Sequence, residues 1–153
     1  MNLDSLIKLT DTIVNECEKL KTKYINTVFE IDYICIFSHS DGEYKNLLDI
    51  SNKIGDIVDP TPTGPVFAIK NTLGKKFHDS KFLKIRLPDS TRPQKGYVDY
   101  NSEYFSFKKK YLNNQEFTLI KRIDFEMIEL KDPNFDVLVY FSSNPLSQRL
   151  NIK

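Results

Sequence analysis

Charge of one sign is missing from this chain: 22 Lys and Arg are offset by 21 Asp and Glu over 153 residues, leaving a net charge of +1. Without a global field the protein has no sequence-wide means of gathering nucleic acid or an anionic membrane, so its partner has to be read from local features. No apolar run approaches the roughly 20 residues of a membrane span. The opening MNLDSLIKLTD lacks the apolar core of a signal peptide, and the expectation is a cytoplasmic protein. Cysteine is scarce. Cys17, on a predicted helix, and Cys35, in a predicted strand, make no metal-ligand or redox spacing and are expected to be reduced, buried and apolar in role. A Gly-rich phosphate loop, a Walker motif, a zinc signature and a Gly-x-Ser-x-Gly elbow are also absent.

What is present is one order of elements, strand, helix, then three strands, legible twice within a single α+β domain spanning 1–153. The first module covers 30–87 and the second 96–141, joined by a linker over 88–95 rich in Pro and polar residues. An N-terminal helix over 1–27 precedes them, because Leu6, Leu9, Ile13, Cys17, Leu20 and Tyr24 recur at spacings of three and four. It should dock on the outside of the fold. The tail over 142–153 has too little pattern to assign.

Within the first module, IDYICIFS (31–38) has the β-branched and aromatic composition of a central strand. Ser40-Asp41-Gly42-Glu43 then fits a capping box, and Gly55 is placed to end the helix it starts. Three prolines exclude a helix or an interior strand from Asp59 to Pro65, which reads as a turn or loop between short strands. Strands follow at Val66–Lys70 and Phe82–Leu87, joined by a polar stretch over 71–81. In the second module the strand is Gly96–Tyr100 and the helix Ser102–Leu112. Further strands are Phe117–Arg122, Phe125–Leu130 and Phe135–Phe141, the last preceded by a turn at Asp132-Pro133-Asn134.

Strand alternation sorts the side chains. Tyr33, Cys35 and Phe37 share one face, opposite Ile34 and Ile36; Lys84 and Arg86 oppose Leu83, Ile85 and Leu87; Tyr97 and Asp99 oppose Val98 and Tyr100; and Glu129 opposes Ile128 and Leu130. The face away from the helices therefore combines Tyr33, Lys84, Arg86, Tyr97, Asp99 and Glu129. Cations and aromatics in a concave site suit a small anionic or planar organic ligand, Arg offering a bidentate fork to carboxylate or phosphate. The bland reading pairs Lys84 and Arg86 with Asp99 and Glu129 in a structural network, or leaves the face open to water.

The doubled βαβββ order, with the strings Ile31-Asp32-Tyr33-Ile34, Ile85-Arg86-Leu87-Pro88 and Gly96-Tyr97-Val98-Asp99 and the Asp132-Pro133 turn, resembles the vicinal oxygen chelate superfamily, the fold of glyoxalase I, bleomycin-resistance proteins and extradiol dioxygenases, and within it the YecM-like branch. The resemblance covers about Glu30 to Phe141. It implies two half-sheets curled around a shared cup, paired within one chain or between two, so that a homodimer stays open. In metal-dependent members four strands each supply a ligand, typically His, Glu, His and Glu. Overlaying the strings puts Tyr33, Arg86, Asp99 and Val139 at those positions, and none is the typical ligand. The resemblance thus implies the fold without its conventional metal site.

The leading expectation is a metal-free binding protein for a small anionic molecule, with Arg86 as anchor, Lys84 as supporting charge, Tyr33 and Tyr97 as stacking walls, and Asp99 in the same site. One alternative keeps a divalent metal and lyase, isomerase or oxygenase chemistry in a rearranged site using Asp99, Glu129, His39 or Glu126. His39 leaves the first strand near the cup rim, where it or Glu129 could act as general acid or base. The rest of Ser38-His39-Ser40-Asp41 reads as strand-end and cap residues, and His78 as a solvated loop residue. A third alternative is a protein or nucleic-acid adaptor using Lys108, Lys109, Lys110, Lys121 and Arg122. Three consecutive lysines spread around about 200 degrees of a helix and make no single stripe, which disfavours nucleic acid. Thr91–Lys95 is a linker first, though it could close over a ligand.

Overall fold

The computed structural model describes residues 1–150, so the tail's last positions, 151–153, lie outside the described residues. Helix α1 (Leu3–Tyr24) begins where Asn2 accepts a hydrogen bond from the Ser5 amide. The first module follows as β1 (Ile31–Phe37), α2 (Asp41–Ile54), β2 (Gly55–Thr61), β3 (Gly64–Ile69) and β4 (Phe82–Arg86). The second is β5 (Gly96–Tyr100), α3 (Tyr104–Tyr111), β6 (Phe117–Lys121), β7 (Glu126–Leu130) and β8 (Leu138–Ser142), and a short α4 (Leu146–Arg149) ends the described chain.

The strands form one eight-stranded sheet in the order β2-β3-β4-β1-β5-β8-β7-β6. Within each module the first strand pairs in parallel with the last, β1 with β4 and β5 with β8. The modules meet where β1 and β5 pair antiparallel. Strands β2 and β6 remain unpaired on their outer sides, so the mixed sheet is open and curls into a cup without closing into a barrel. The three longer helices cover one face, where Leu6, Ile13, Cys17 and Leu20 of α1 and Leu47 and Ile54 of α2 bury against Ile34, Ile36, Leu83, Ile85, Val98 and Val139. This apolar layer is the main source of stability. Helix α1 lies across the junction of the modules, touching β1, β5 and β8, and so is a layer of the core. No helix among the described residues is long and apolar enough to cross a membrane.

The capping box forms as its residues dictate: Ser40 Oγ accepts from the Glu43 amide and Glu43 Oε1 from the His39 amide. Both cysteines are free and buried. Two boundaries need correction and two segments gain structure that the sequence left open. The proline-rich segment carries strand at both ends, with only Pro62 and Thr63 left as the turn. Pro60 is tolerated because β2 is an edge strand with no ladder on its outer side to interrupt. The polar stretch after β3 holds a 3₁₀ helix over Asn71–Phe77, with Phe77 buried. The last strand starts at Leu138 rather than Phe135, because Asp132 accepts from the Asn134 and Phe135 amides and prolongs the turn. The unassigned tail forms α4, anchored by Asp32, whose carboxylate accepts from the Leu146 and Ser147 amides.

Candidate functional site

The face away from the helices is partly filled by a second apolar cluster, Tyr33, Cys35, Phe37, Val66, Phe82, Tyr97, Met127, Leu138, Tyr140 and Leu146. Above it opens a cavity of about 540 Å³. Its aromatic wall is built from neighbouring strands: Tyr33 of β1, Tyr97 of β5 and Tyr140 of β8. The Tyr33 and Tyr97 hydroxyls are 2.6 Å apart, and the Tyr97 and Tyr140 rings meet edge to face at 4.6 Å between centroids. Burial first, and then Asp99 for Tyr33 and Cys35 for Tyr97, hold both phenols well above their usual value, so both keep their protons at neutral pH. Burial likewise pushes the Cys35 thiol up to about 11.

Five cations line the cavity, Lys84, Arg86, Arg92, Arg122 and Arg149, against one carboxylate, Asp59. They arrive from different parts of the fold. Lys84 and Arg86 are alternate residues of β4, Arg92 comes from the linker, Arg122 from the turn after β6 and Arg149 from α4. Arg122 and Arg149 are exposed at the mouth, whereas Lys84, Arg86 and Arg92 are half-buried. Arg86 Nη2 lies 3.2 Å from Asp89 Oδ2, its Nε is buried with no partner, and its guanidinium stands over the Phe37 ring. Arg92 Nη1 donates to the Tyr140 hydroxyl at 3.1 Å and lies 3.4 Å from Glu129. Arg149 packs over Phe125, with the guanidinium carbon 4.5 Å from the ring centre. Lys84 Nζ donates to Thr63 Oγ1 at 2.7 Å. Burial, and next the nearby Arg86 and Arg149 charges, lower its ammonium from the usual lysine value, partly opposed by Cys35 and Asp59.

Of the residues singled out by sequence, Tyr33, Lys84, Arg86 and Tyr97 therefore line one cavity. Asp99 does not, and its place in the site is corrected. It lies beneath the wall at 1% exposure, accepting from Ser142 Oγ at 2.7 Å. Burial keeps its carboxyl well above the usual range, a nearby Asp32 charge acting in the same direction and Ser142 and Arg149 opposing it. The structural network expected of Lys84 and Arg86 with Asp99 and Glu129 does not form, since each of the four has another partner.

The rearranged catalytic set does not converge either. His39 is exposed outside the cavity, with Nε2 on the Gln94 carbonyl. Glu129 is occupied by Tyr140 and Arg92, and Glu126 by Tyr104 and Lys108. His78 is not freely solvated: its Nε2 lies 2.7 Å from Asp11 Oδ1, beyond the helix-covered face. Among the described residues no group of three or more His, Cys, Asp or Glu is arranged to hold a metal. At the fourth ligand position implied by the family resemblance, Val139 is fully buried against the helices, and Tyr140 is the β8 residue facing the cavity. On the basic helix Lys108 is paired with Glu126 and Phe107 is core.

Sequence reasoning placed neither Arg149 nor Tyr140 in the cavity; Arg92 lies in the linker that it allowed to close over a ligand, and Arg122 it assigned to the adaptor alternative. The three arginines lie in a linker, a turn and the unpatterned tail, where no periodicity announces direction. Tyr140 had a usable signal in the alternation of Leu138, Tyr140 and Ser142.

Fold and site together define an open α+β cup with a cationic, aromatic-walled cavity. No family model matches the chain, and no curated protein matches it in sequence. Among solved structures it is similar to the structural-genomics protein EC4020, with a TM-score of 0.72 over 97% of this chain and 91% of that one at 9% identity. At that identity the likeness is one of fold.

Proposed function

We propose that the cup is a metal-free binding site for a small anionic organic molecule. The observation that carries this reading is the concentration of charge: five cations and one carboxylate line a single cavity in a chain whose net charge is only +1. Lys84 has no carboxylate partner, and Arg86 retains donors beyond its contact with Asp89. Half-buried cations in a concave, partly apolar site attract an anion more strongly than exposed ones, because low-dielectric walls reduce screening. Arg86 supplies the fork for a carboxylate or phosphate, Lys84 adds charge, and the tyrosines face the organic body of the ligand.

Calorimetric titration with mono- and dicarboxylates and phosphate monoesters tests the reading. Truncating one member of a buried charge pair costs about 2–5 kcal/mol. Arg86→Ala should therefore weaken the tightest of these probes by about 30-fold or more. Binding of none of them to the wild type would remove the anion site, and unchanged affinity in the variant would remove Arg86 from it.

A further inference from the structure

We propose that Lys84 is a covalent capture point: its amine forms an imine with the carbonyl carbon of a 2-oxo acid whose carboxylate is held by Arg86. The inference rests on the anion-site reading and goes beyond it by adding bond formation. A site built only to hold an anion gains most from a fully charged, hydrogen-bonded lysine. Lys84 departs from that arrangement in three ways. It is half-buried in the cavity wall, its observed partner is the neutral Thr63 hydroxyl, and no carboxylate among the described residues makes an ion pair with it. The groups facing it are Cys35 of β1, held as a neutral thiol, the cations Arg86 and Arg149, and the carboxylate of Asp59 from β2. Desolvation and adjacent cations both raise the fraction of an amine that is unprotonated and nucleophilic.

The geometry also supplies the other requirement of a 2-oxo acid, a carboxylate next to a carbonyl. Lys84 and Arg86 alternate on one strand and point to one side, their backbones one strand repeat, about 7 Å, apart, and both line the same cavity. A carboxylate held by Arg86 brings its adjoining carbonyl into the cavity that the Lys84 amine also lines. The free amine's lone pair attacks the carbonyl carbon while the carbonyl π pair moves to oxygen, which takes up a proton as nitrogen loses one. The resulting hydroxyl leaves as water after gaining a second proton from solvent, the nitrogen lone pair forms the C=N bond, and the iminium so formed returns that proton to solvent to give the imine. The step is a condensation with loss of one water and needs no oxidant or reductant. The neutral Tyr33 and Tyr97 hydroxyl pair provides O–H groups in the same cavity.

The full chain is incubated with pyruvate or 2-oxoglutarate and cyanoborohydride, and labelled lysines are located by peptide mass analysis. A lowered ammonium pKa raises the fraction of free amine, so Lys84 should carry the label before any exposed lysine does at pH 7. Lys84→Arg should abolish that label. In the unmodified protein, excess 2-hydroxyglutarate should protect Lys84 and leave surface labelling unchanged, a readout that does not depend on a variant folding. Labelling spread evenly over surface lysines, with lactate or 2-hydroxyglutarate bound in calorimetry, overturns the imine and leaves the anion site standing. Failure of both hydroxy acids to bind, together with no selective label, overturns both.

Discussion

Among the carboxyls that are almost fully removed from water, Asp132 and Asp99 are driven in opposite directions. Asp132, at 4% exposure, accepts from Lys23 and Tyr24 and is held well below the usual carboxylate range, chiefly by the Lys23 hydrogen bond. Asp99 has only a serine hydroxyl for a partner and one oxygen with none, and burial drives it upward. An aspartate in the unfolded chain loses its proton near pH 4, at about 3.9. Folded Asp99 retains its proton above that value, so its contribution to stability declines as pH rises from about 4 through the folded value. Asp99→Asn removes this dependence. The variant should resist urea better than the wild type at pH 7, with the advantage vanishing by about pH 4. A wild type at least as stable at pH 7 would mean that Asp99 is ionised in the fold. Alternation placed Asp99 on the correct side of its strand, because side-chain direction has a period of two. It said nothing of depth, which depends on how far the neighbouring Tyr33 and Tyr97 rings reach over it.

Among the elements, the β2–β3 hairpin shows most clearly how a local rule and a packing demand combine. Gly64 has φ of 137°, and a Cβ placed there would lie 1.9 Å from the Ile85 carbonyl oxygen of β4. The glycine therefore serves both the turn and the close approach of β3 to β4. Backbone strain of this kind costs on the order of 1–3 kcal/mol, and the steric conflict adds to it. Gly64→Ala should lower urea stability by about 2 kcal/mol or more. It should also weaken anion binding, because the turn it closes carries Thr63, the partner of Lys84. An unchanged urea midpoint would show that the hairpin relaxes away from β4 at little cost. The order of strands and helices was legible because composition, periodicity and caps agreed for β1, α2 and β5. Boundaries were not, where tertiary context decides them: Pro60 is admitted by an edge that sequence does not reveal, and α4 exists because Asp32, more than a hundred residues earlier, receives its first amides. The same limit applies to the cavity. Its strand residues could be assigned to a face, but Arg92, Arg122 and Arg149 enter it only through the return of loops and tail.

At the scale of the molecule, the question is whether the two βαβββ modules behave as two units or one. Their strands are continuous through the β1–β5 pair, and one buried cluster includes Leu47 and Phe67 of the first module with Phe107 and Ile128 of the second. Helix α1 adds cross-links at the joint: Cys17 Sγ donates to the Leu138 carbonyl, Glu16 pairs with Lys95 of the linker, and Lys23 and Tyr24 hold Asp132 before β8. Neither module keeps its share of the core once the other departs, since the apolar face of each is completed by α1 and by the strand across the joint. Unfolding should therefore be a single cooperative transition, as for most domains of up to about 150 residues. Tyrosine fluorescence, from residues in both modules, and far-ultraviolet circular dichroism should trace the same urea curve. Gly64→Ala, in the first module, and Asp132→Ala, in the second, should each move that whole curve to lower denaturant without splitting it. A variant that split the curve would mean that a half-sheet survives alone, and that the cup, whose cations come from β4 on one side and from α4 and the β6–β7 turn on the other, can come apart while half the fold persists.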